Sequence, residues 1–338
     1  MSLRFVVGCY FGAVVRLSAQ AVYSDANIFK PTSTPAKSAH DLAILVLAVC
    51  AVIFVVVSSL LFYTVYRFRH RKTDDGHEPA QVYGSNQIEI AWTVIPILIV
   101  VVLTMATARV VAKVQDTPQP KDAIEITVIG HQWWWEVRYP KLGVITANEL
   151  HMPVSANLSQ FPSFLTLLSA DVAHSFWVPR LAGKTDLIPG HPNRMWIDPH
   201  EPGTYLGNCA EYCGTQHANM LLRVVVESKA DFDKWVEAQK APAAVSAEAN
   251  EGRAMFLSLS CVNCHRVAGT TANGEFGPDL THLASRQTLA AGVIPNDYAN
   301  LKAWIHDPEE IKPGNYMPNM QLNAKELDLV VAYLSTLK

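Results

Sequence analysis

The sequence predicts a multidomain chain of three parts: a two-helix transmembrane hairpin, a β-sandwich or barrel, and an all-α C-terminal unit. Three observations carry this. Leu42 to Tyr66 is a run of 25 residues without a charge, and Ile90 to Ala108 a run of 19; a helix of about 20 apolar residues crosses a bilayer. From about residue 122 to 228 the pattern changes to short alternating runs, such as Glu125-Ile-Thr-Val-Ile, Phe164-Leu-Thr-Leu-Leu and Met220-Leu-Leu-Arg-Val-Val-Val. Ile188-Pro-Gly and Glu201-Pro-Gly punctuate them, as turns punctuate many short strands. From about 248 onward the apolar spacing becomes helical, most plainly from Ala324 to Leu337.

Composition agrees with this division. A chain of 338 residues has room for two or three domains. Only 17% of its residues are charged, against roughly 25% in a soluble domain, the shift that membrane spans produce. A net charge of -3 gives no reason to expect a nucleic-acid partner. The six cysteines fall into two pairs, Cys209 with Cys213 and Cys261 with Cys264, leaving Cys9 and Cys50. Both pairs sit among other ligand-type residues, so no disulfide framework is implied.

In chain order, residues 1–21 carry Arg4, an apolar run and Ala19-Gln20-Ala21, and read as a secretory signal peptide. Residues 22–40, rich in Pro, Ser, Thr and Ala, read as a loose lead-in. The hairpin is expected over 41–113, with spans at about 42–66 and 89–111. Cys50 lies in the first span as a small apolar-facing residue, and Pro96 in the second is a tolerated kink. Arg67, Arg69, Arg71 and Lys72 lie between the spans, and the positive-inside rule puts that loop in the cytoplasm. Both outer ends of the hairpin then emerge outside. Glu89, at the edge of the second span, is on its own only a solvated headgroup acid. The strand-rich domain is expected over 117–232. Ala241-Pro-Ala-Ala-Val-Ser-Ala marks a linker over 233–247, and the helical domain follows over 248–338.

Chemistry concentrates in two segments. Cys209-Ala-Glu-Tyr-Cys213-Gly-Thr-Gln-His217-Ala-Asn-Met220 places two thiols, an imidazole and a thioether within twelve residues. Soft sulfur ligands with imidazole suit copper better than magnesium, calcium or manganese. Two thiolates at one place suit a pair of coppers bridged by sulfur. His174, upstream in Asp171-Val-Ala-His174-Ser-Phe-Trp, is the candidate for a second imidazole. A Cys209–Cys213 disulfide and a Cys2His2 zinc site compete with this reading; zinc has no need of Met220. The second segment is Cys261-Val-Asn-Cys264-His265, the C-x-x-C-H attachment motif of c-type haem. A thioredoxin-like site would need a βαβ context that this stretch lacks. Met opposite His is common on cytochrome c iron. Lys312-Pro-Gly-Asn-Tyr-Met317-Pro-Asn-Met320 supplies it, with Met317 preferred and Met320 the alternative.

These motifs carry a resemblance. The chain is similar to subunit II of haem-copper cytochrome oxidases, of the caa3 type in which a cytochrome c domain is fused at the C-terminus. The resemblance implies a cupredoxin Greek-key domain and a class I cytochrome c domain. It implies binuclear copper A held by His174, Cys209, Cys213, His217, Met220 and the Glu211 carbonyl. It implies covalent haem c on Cys261, Cys264 and His265 with Met317, and packing of Pro278 on the His side. The Glu211 side chain would reach a magnesium ion shared with subunit I. In Gly130-His131-Gln132-Trp133-Trp134-Trp135 the family pattern makes Trp133 the exposed aromatic through which electrons pass to copper. Three consecutive Trp cannot share one strand face, so at least one is expected to be exposed; packing is the plainer reading of Trp134 and Trp135. Glu89 would lie at the mouth of a proton pathway. Lys184-Thr-Asp186 would face subunit I, although His191 stands where the family often has Arg. Asp171 would be a docking acid or simply an exposed one.

The implied function is electron relay from external cytochrome c through haem c and copper A to subunit I, where oxygen is reduced to water with proton translocation. Subunits I and III, the cytochrome c donor and the bacterial inner membrane are the implied partners, with both metal domains on the periplasmic side. A copper A-type nitric oxide reductase is the alternative. A membrane-anchored copper-delivery factor would leave the haem motif unexplained, and a quinol-oxidising relative would lack the copper ligands.

Overall fold

A computed structural model describes residues 26–70, 76, 81, 83–155, 160–243 and 249–338. The signal-peptide reading of 1–21, Cys9, and Arg71 and Lys72 of the inter-span loop lie outside the described residues.

Two long helices come first: α1 (Thr34–Arg67) and α2 (Asn86–Gln115). Their apolar side chains, Phe54, Leu60, Phe62, Trp92 and Val100 among them, are exposed all round, which in a water-soluble domain would be an unburied core. Lipid and neighbouring spans are the solvent this surface fits. Arg67 and Arg69 flank the cytoplasmic end of α1. Helix α1 starts within the stretch expected to be a loose lead-in. Ser33 caps it by accepting from the Ala36 N–H at 3.2 Å, and Pro35 presets its first turn. At about 1.5 Å per residue a helix of this length exceeds the roughly 30 Å hydrocarbon core. Its first turn stands clear of the span, and there Pro35, Ala36 and Ser38 are buried. The buried Asp198 carboxylate accepts from the Thr34 N–H at 2.7 Å and the Thr34 hydroxyl at 2.6 Å. Trp196 donates its Nε1–H to the Val114 carbonyl at 2.7 Å. Both outer helix ends are thus tied to one strand region of the next domain.

That domain is a two-sheet sandwich. One sheet orders its strands β3 (Val144–Ala147), β2 (Trp134–Tyr139), β1 (Ile124–His131), β5 (Ser163–Ser169) and β8 (Asn193–Ile197). The other orders β4 (Glu149–Pro153), β10 (Leu221–Glu227), β9 (Gly203–Cys209), β6 (His174–Trp177) and β7 (Thr185–Leu187). Non-consecutive neighbours give the Greek-key crossovers, with parallel pairs β1–β5 and β4–β10. Ile126, Val128, Leu165 and Leu167 from the first sheet meet Leu150, Phe176, Leu222 and Val224 from the second. The period of two along each strand puts them on the inner faces.

Residues 233–240, expected to be linker, belong to this domain. Helix α3 (Lys229–Lys240) is capped by Ser228, and its Phe232 and Val236 are buried in the sandwich core beside Tyr139 and Trp235. The sequence shows a short amphipathic piece at Asp231-Phe-Asp-Lys-Trp-Val; the helix runs on to Lys240 and packs on the sandwich.

The C-terminal domain packs α4 (Asn250–Ser258), α5 (Cys261–Cys264), α6 (Tyr298–His306), α7 (Pro308–Ile311) and α8 (Ala324–Leu334), with a short hairpin of β11 (Thr288–Leu289) and β12 (Ile294–Pro295). Helices α4 and α8 cross in close contact at Gly252, where any Cβ would lie 2.1 Å from the Leu329 carbonyl oxygen. Asn323 and Glu326 form a reciprocal capping box that starts α8. Phe256, Leu301, Val330, Val331 and Tyr333 fill the core.

Candidate metal centre

The sequence Cys209 to Met220 leaves strand β9, makes a tight excursion through a 3-10 turn at His217–Asn219, and re-enters strand β10. Because β9 and β10 are paired, both ends of the excursion are fixed; the Cys209 N–H donates to the Met220 carbonyl at 3.0 Å. The ligand types converge there. Cys209 Sγ and Cys213 Sγ are 3.8 Å apart, far beyond the roughly 2.05 Å of a disulfide bond. His174 Nδ1 lies 3.9 Å from Cys209 Sγ, His217 Nδ1 3.6 Å from Cys213 Sγ, and Met220 Sδ 3.8 Å from Cys213 Sγ. The Glu211 carbonyl lies 3.2 Å from Cys209 Sγ, while its side chain is exposed. His174, Cys209, Cys213 and Met220 are buried. Among the described residues, His174, Cys209 and Cys213 are the cluster whose ligand atoms lie within 4.8 Å of one another.

Electrostatics suit a soft cation. The neighbouring Cys213 thiol holds Cys209 far below the ordinary thiol range, while Cys209 and burial push Cys213 up. A metal bound by thiols displaces their protons. Two thiols, two imidazoles and a thioether fit copper; a thioether in van der Waals reach of a thiol is surplus to a zinc site.

Asp171, which the sequence left as a docking or exposed acid, faces inward. Its Oδ1 lies 2.8 Å from His174 Nε2, and its Oδ2 accepts from the Gln132 N–H at 2.6 Å. The carboxylate fixes the Nε2–H tautomer and turns Nδ1 toward the sulfurs. Burial pulls the His174 imidazolium down, but the bonds to Asp171 and Cys209 outweigh it and raise the group above its ordinary value. Gly130 explains the opening of the Gly-His-Gln-Trp motif: a Cβ there would fall 2.7 Å from the His174 ring.

In the C-terminal domain a cavity of about 290 Å³ opens beside α5. Cys261, Cys264, His265 and Met317 line it, and so does Met320. His265 Nδ1 lies 2.8 Å from the Pro278 carbonyl, which as acceptor leaves Nε2 free. Burial lowers the His265 pKa and favours the neutral, ligating form. Gly277 lies against the same ring, where a Cβ would be 2.7 Å from its Cε1. Arg286 is buried at the cavity wall, gives one guanidinium N–H to the Asp279 carbonyl, and has a buried Nε without a partner. A spare cationic donor over an apolar cavity fits a carboxylate-bearing macrocycle such as haem. The sequence offered no signal for Arg286.

The trio Trp133-Trp134-Trp135 departs from expectation. None is exposed. Trp135 is fully buried in the sandwich; Trp134 is half-buried and stacked on His131 with centroids 4.2 Å apart. Trp133, expected to be the exposed one, is 6% exposed because Tyr316 of the C-terminal domain stacks on it at 5.1 Å. Its Nε1–H donates to the Cys213 carbonyl at 2.9 Å, and the residue lines the cavity along with His265 and Met317. One residue therefore joins the Cys209–Met220 loop to the C-terminal cavity. Glu89 lies exposed in the first turn of α2, where an acid complements the helix dipole. Asp186 sits on the edge strand β7, and Lys184 lies over the Trp177 ring at 5.4 Å.

Comparison with known proteins agrees with this geometry. The family model for the cytochrome c oxidase subunit II transmembrane domain matches residues 21–110, that for its periplasmic domain 152–229, and that for cytochrome c 249–338. A cytochrome c oxidase subunit 2 from Alkalihalophilus pseudofirmus is 36% identical, covering 91% of this chain and 90% of its own. The subunit 2 of Bacillus subtilis is 33% identical, with 92% of each chain covered. That of Bacillus sp. strain PS3 is also 33% identical, over 80% of each. With a membrane hairpin, a copper-type sandwich and a haem-type domain in the same order and over nearly the whole length, the chain belongs to the cytochrome c oxidase subunit 2 family.

Proposed function

We propose that His174, Cys209, Cys213, His217, Met220 and the Glu211 carbonyl hold copper A, that Cys261, Cys264, His265 and Met317 hold haem c, and that electrons pass between them by way of Trp133. The observation that supports this most directly is Trp133 itself, which lines the haem cavity and hydrogen-bonds the backbone of the copper loop. Bound at these sites, haem and the copper pair each supply reversible one-electron exchange.

The chain's own residues do the rest. Asp171 orients His174; the paired strands β9 and β10 hold the sulfur ligands without large rearrangement; burial keeps water from the thiolates. The hairpin fixes the whole to subunit I of a membrane complex, on the extracytoplasmic side. We infer further that an external cytochrome c delivers electrons to the haem domain, that subunit I reduces oxygen to water with proton translocation, and that subunit III completes the complex. Glu89 would sit at a proton inlet of subunit I. The exposed Glu211 carboxylate would hold magnesium together with ligands from subunit I.

Metal and haem analysis of the purified complex, with its electron paramagnetic resonance spectrum, tests the assignment. Two coppers in a mixed-valence signal and one covalent haem per chain are expected. Zinc, or a single copper, at Cys209 and Cys213 would overturn it.

A further inference from the structure

The seam between the copper and haem domains is closed by a buried cation. Lys312, five residues before Met317, is 3% exposed. Its ammonium donates to three carbonyls: Trp133 at 2.8 Å, Asn219 at 2.9 Å and Ala290 at 3.2 Å. Trp133 lies in the turn between β1 and β2. Asn219 lies between the ligands His217 and Met220. Ala290 lies in the β11–β12 hairpin of the haem domain. An ammonium has three donors and a neutral amine has two, so three carbonyl acceptors specify the charged form, against the downward pull of burial to about 7.

The bonds around it run the same way. Gln216 Nε2 donates to the Pro313 carbonyl at 2.5 Å, and the Leu221 N–H donates to the Ala291 carbonyl at 3.1 Å. Tyr316 donates its hydroxyl to Gln132 Oε1 at 3.0 Å. Each joins the haem domain to the copper-ligand segment or to the Trp133 turn.

We propose that Lys312 is a positioning residue for electron transfer, pinning the segment that carries Met317 against the copper-ligand loop so that the haem domain works docked rather than swinging on its tether. The proposal rests on the relay reading above. A tether alone supplies only an effective concentration on the order of millimolar. A domain held by the tether alone must dock before each transfer, and docking is a diffusive step that solvent viscosity slows. A pinned domain has no such step.

The test uses the assembled oxidase with both metals bound. Haem c is photoreduced and its loss of the electron to copper is timed across a series of glycerol viscosities. The wild type should transfer at a rate independent of viscosity. Lys312→Met leaves three buried carbonyls unpaired, and losing one side of a buried charged contact weakens association by on the order of 30-fold or more. Transfer should then slow by roughly tenfold or more and become viscosity-dependent, with the methionine-ligated haem spectrum and the copper signal unchanged. Gln216→Ala, which breaks the neighbouring bond from the copper side, should shift the rate in the same direction by less. A variant that matches the wild type at every viscosity overturns the proposal. So does slow transfer accompanied by loss of methionine ligation, because Lys312 would then act only within the haem pocket. If Lys312→Met fails to assemble, Gln216→Ala decides by the same reading. Failure of the relay itself looks different: the wild type would show no haem-to-copper transfer at all.

Discussion

At the scale of single residues, the copper loop depends on one carboxylate that is not itself a ligand. Asp171 holds His174 by its Nε2 and holds the Trp133 turn by the Gln132 N–H. Losing such an orienting partner costs about 10–100-fold in metal affinity, so Asp171→Ala should weaken copper retention by that order in a competitive chelator titration. Cys209→Ser should remove the binuclear copper signal and its near-infrared absorption while haem c stays bound; a retained signal would mean that Cys209 does not hold the copper pair. Met317→Leu should lower the haem potential in a redox titration, since thioether opposite imidazole raises it. No change would transfer the role to Met320, which lines the same cavity. The sequence made the ligand types legible because soft donors at fixed spacing are rare. Asp171 was illegible because an acid three residues from a histidine reads alike whether it faces water or a ring.

At the scale of elements, α3 shows what a polar helix can contribute. Lys229, Asp231, Asp233 and Lys234 pair along its surface, and exposed pairs of this kind add little. Its worth lies in Phe232, 1% exposed against Tyr139 and Trp235. Phe232→Ala should destabilise the copper domain by about 3–5 kcal/mol, read as a lower denaturation midpoint of the copper absorption. A change confined to the haem domain would show that α3 belongs there instead. The two spans were legible from run length alone. The start of α1 was not: Ser33 becomes a cap because Asp198, far along the chain, receives the Thr34 N–H that follows it.

At the scale of the whole molecule, the haem domain covers Trp133. Trp133 lies under Tyr316 and between two centres. Trp133→Phe keeps an aromatic ring but loses the Nε1–H bond to Cys213, and should slow haem-to-copper transfer in flash photolysis without metal loss. A normal rate would place the path elsewhere. Reduction of haem c by an added donor should be unaffected by the same change, since the indole is buried at 6% exposure. Glu149 supports the far end of the seam: buried on β4, it accepts from the Gln287 and Thr288 backbone at 2.7 and 3.0 Å.

The sequence by itself determined the three-part architecture, both metal motifs and the sidedness of the membrane hairpin. Each of these is local: a run of apolar residues, a period of two or of 3.6, a fixed spacing of sulfur and imidazole. Only the tertiary structure decided that Asp171 serves His174, that α3 is core, that Trp133 is enclosed, and that Lys312 is shared between domains. Those outcomes depend on which way a side chain turns and on which backbone carbonyls and ring faces the fold brings together, in the case of Lys312 and Trp133 from segments 179 residues apart, and a one-dimensional pattern holds no record of such neighbours.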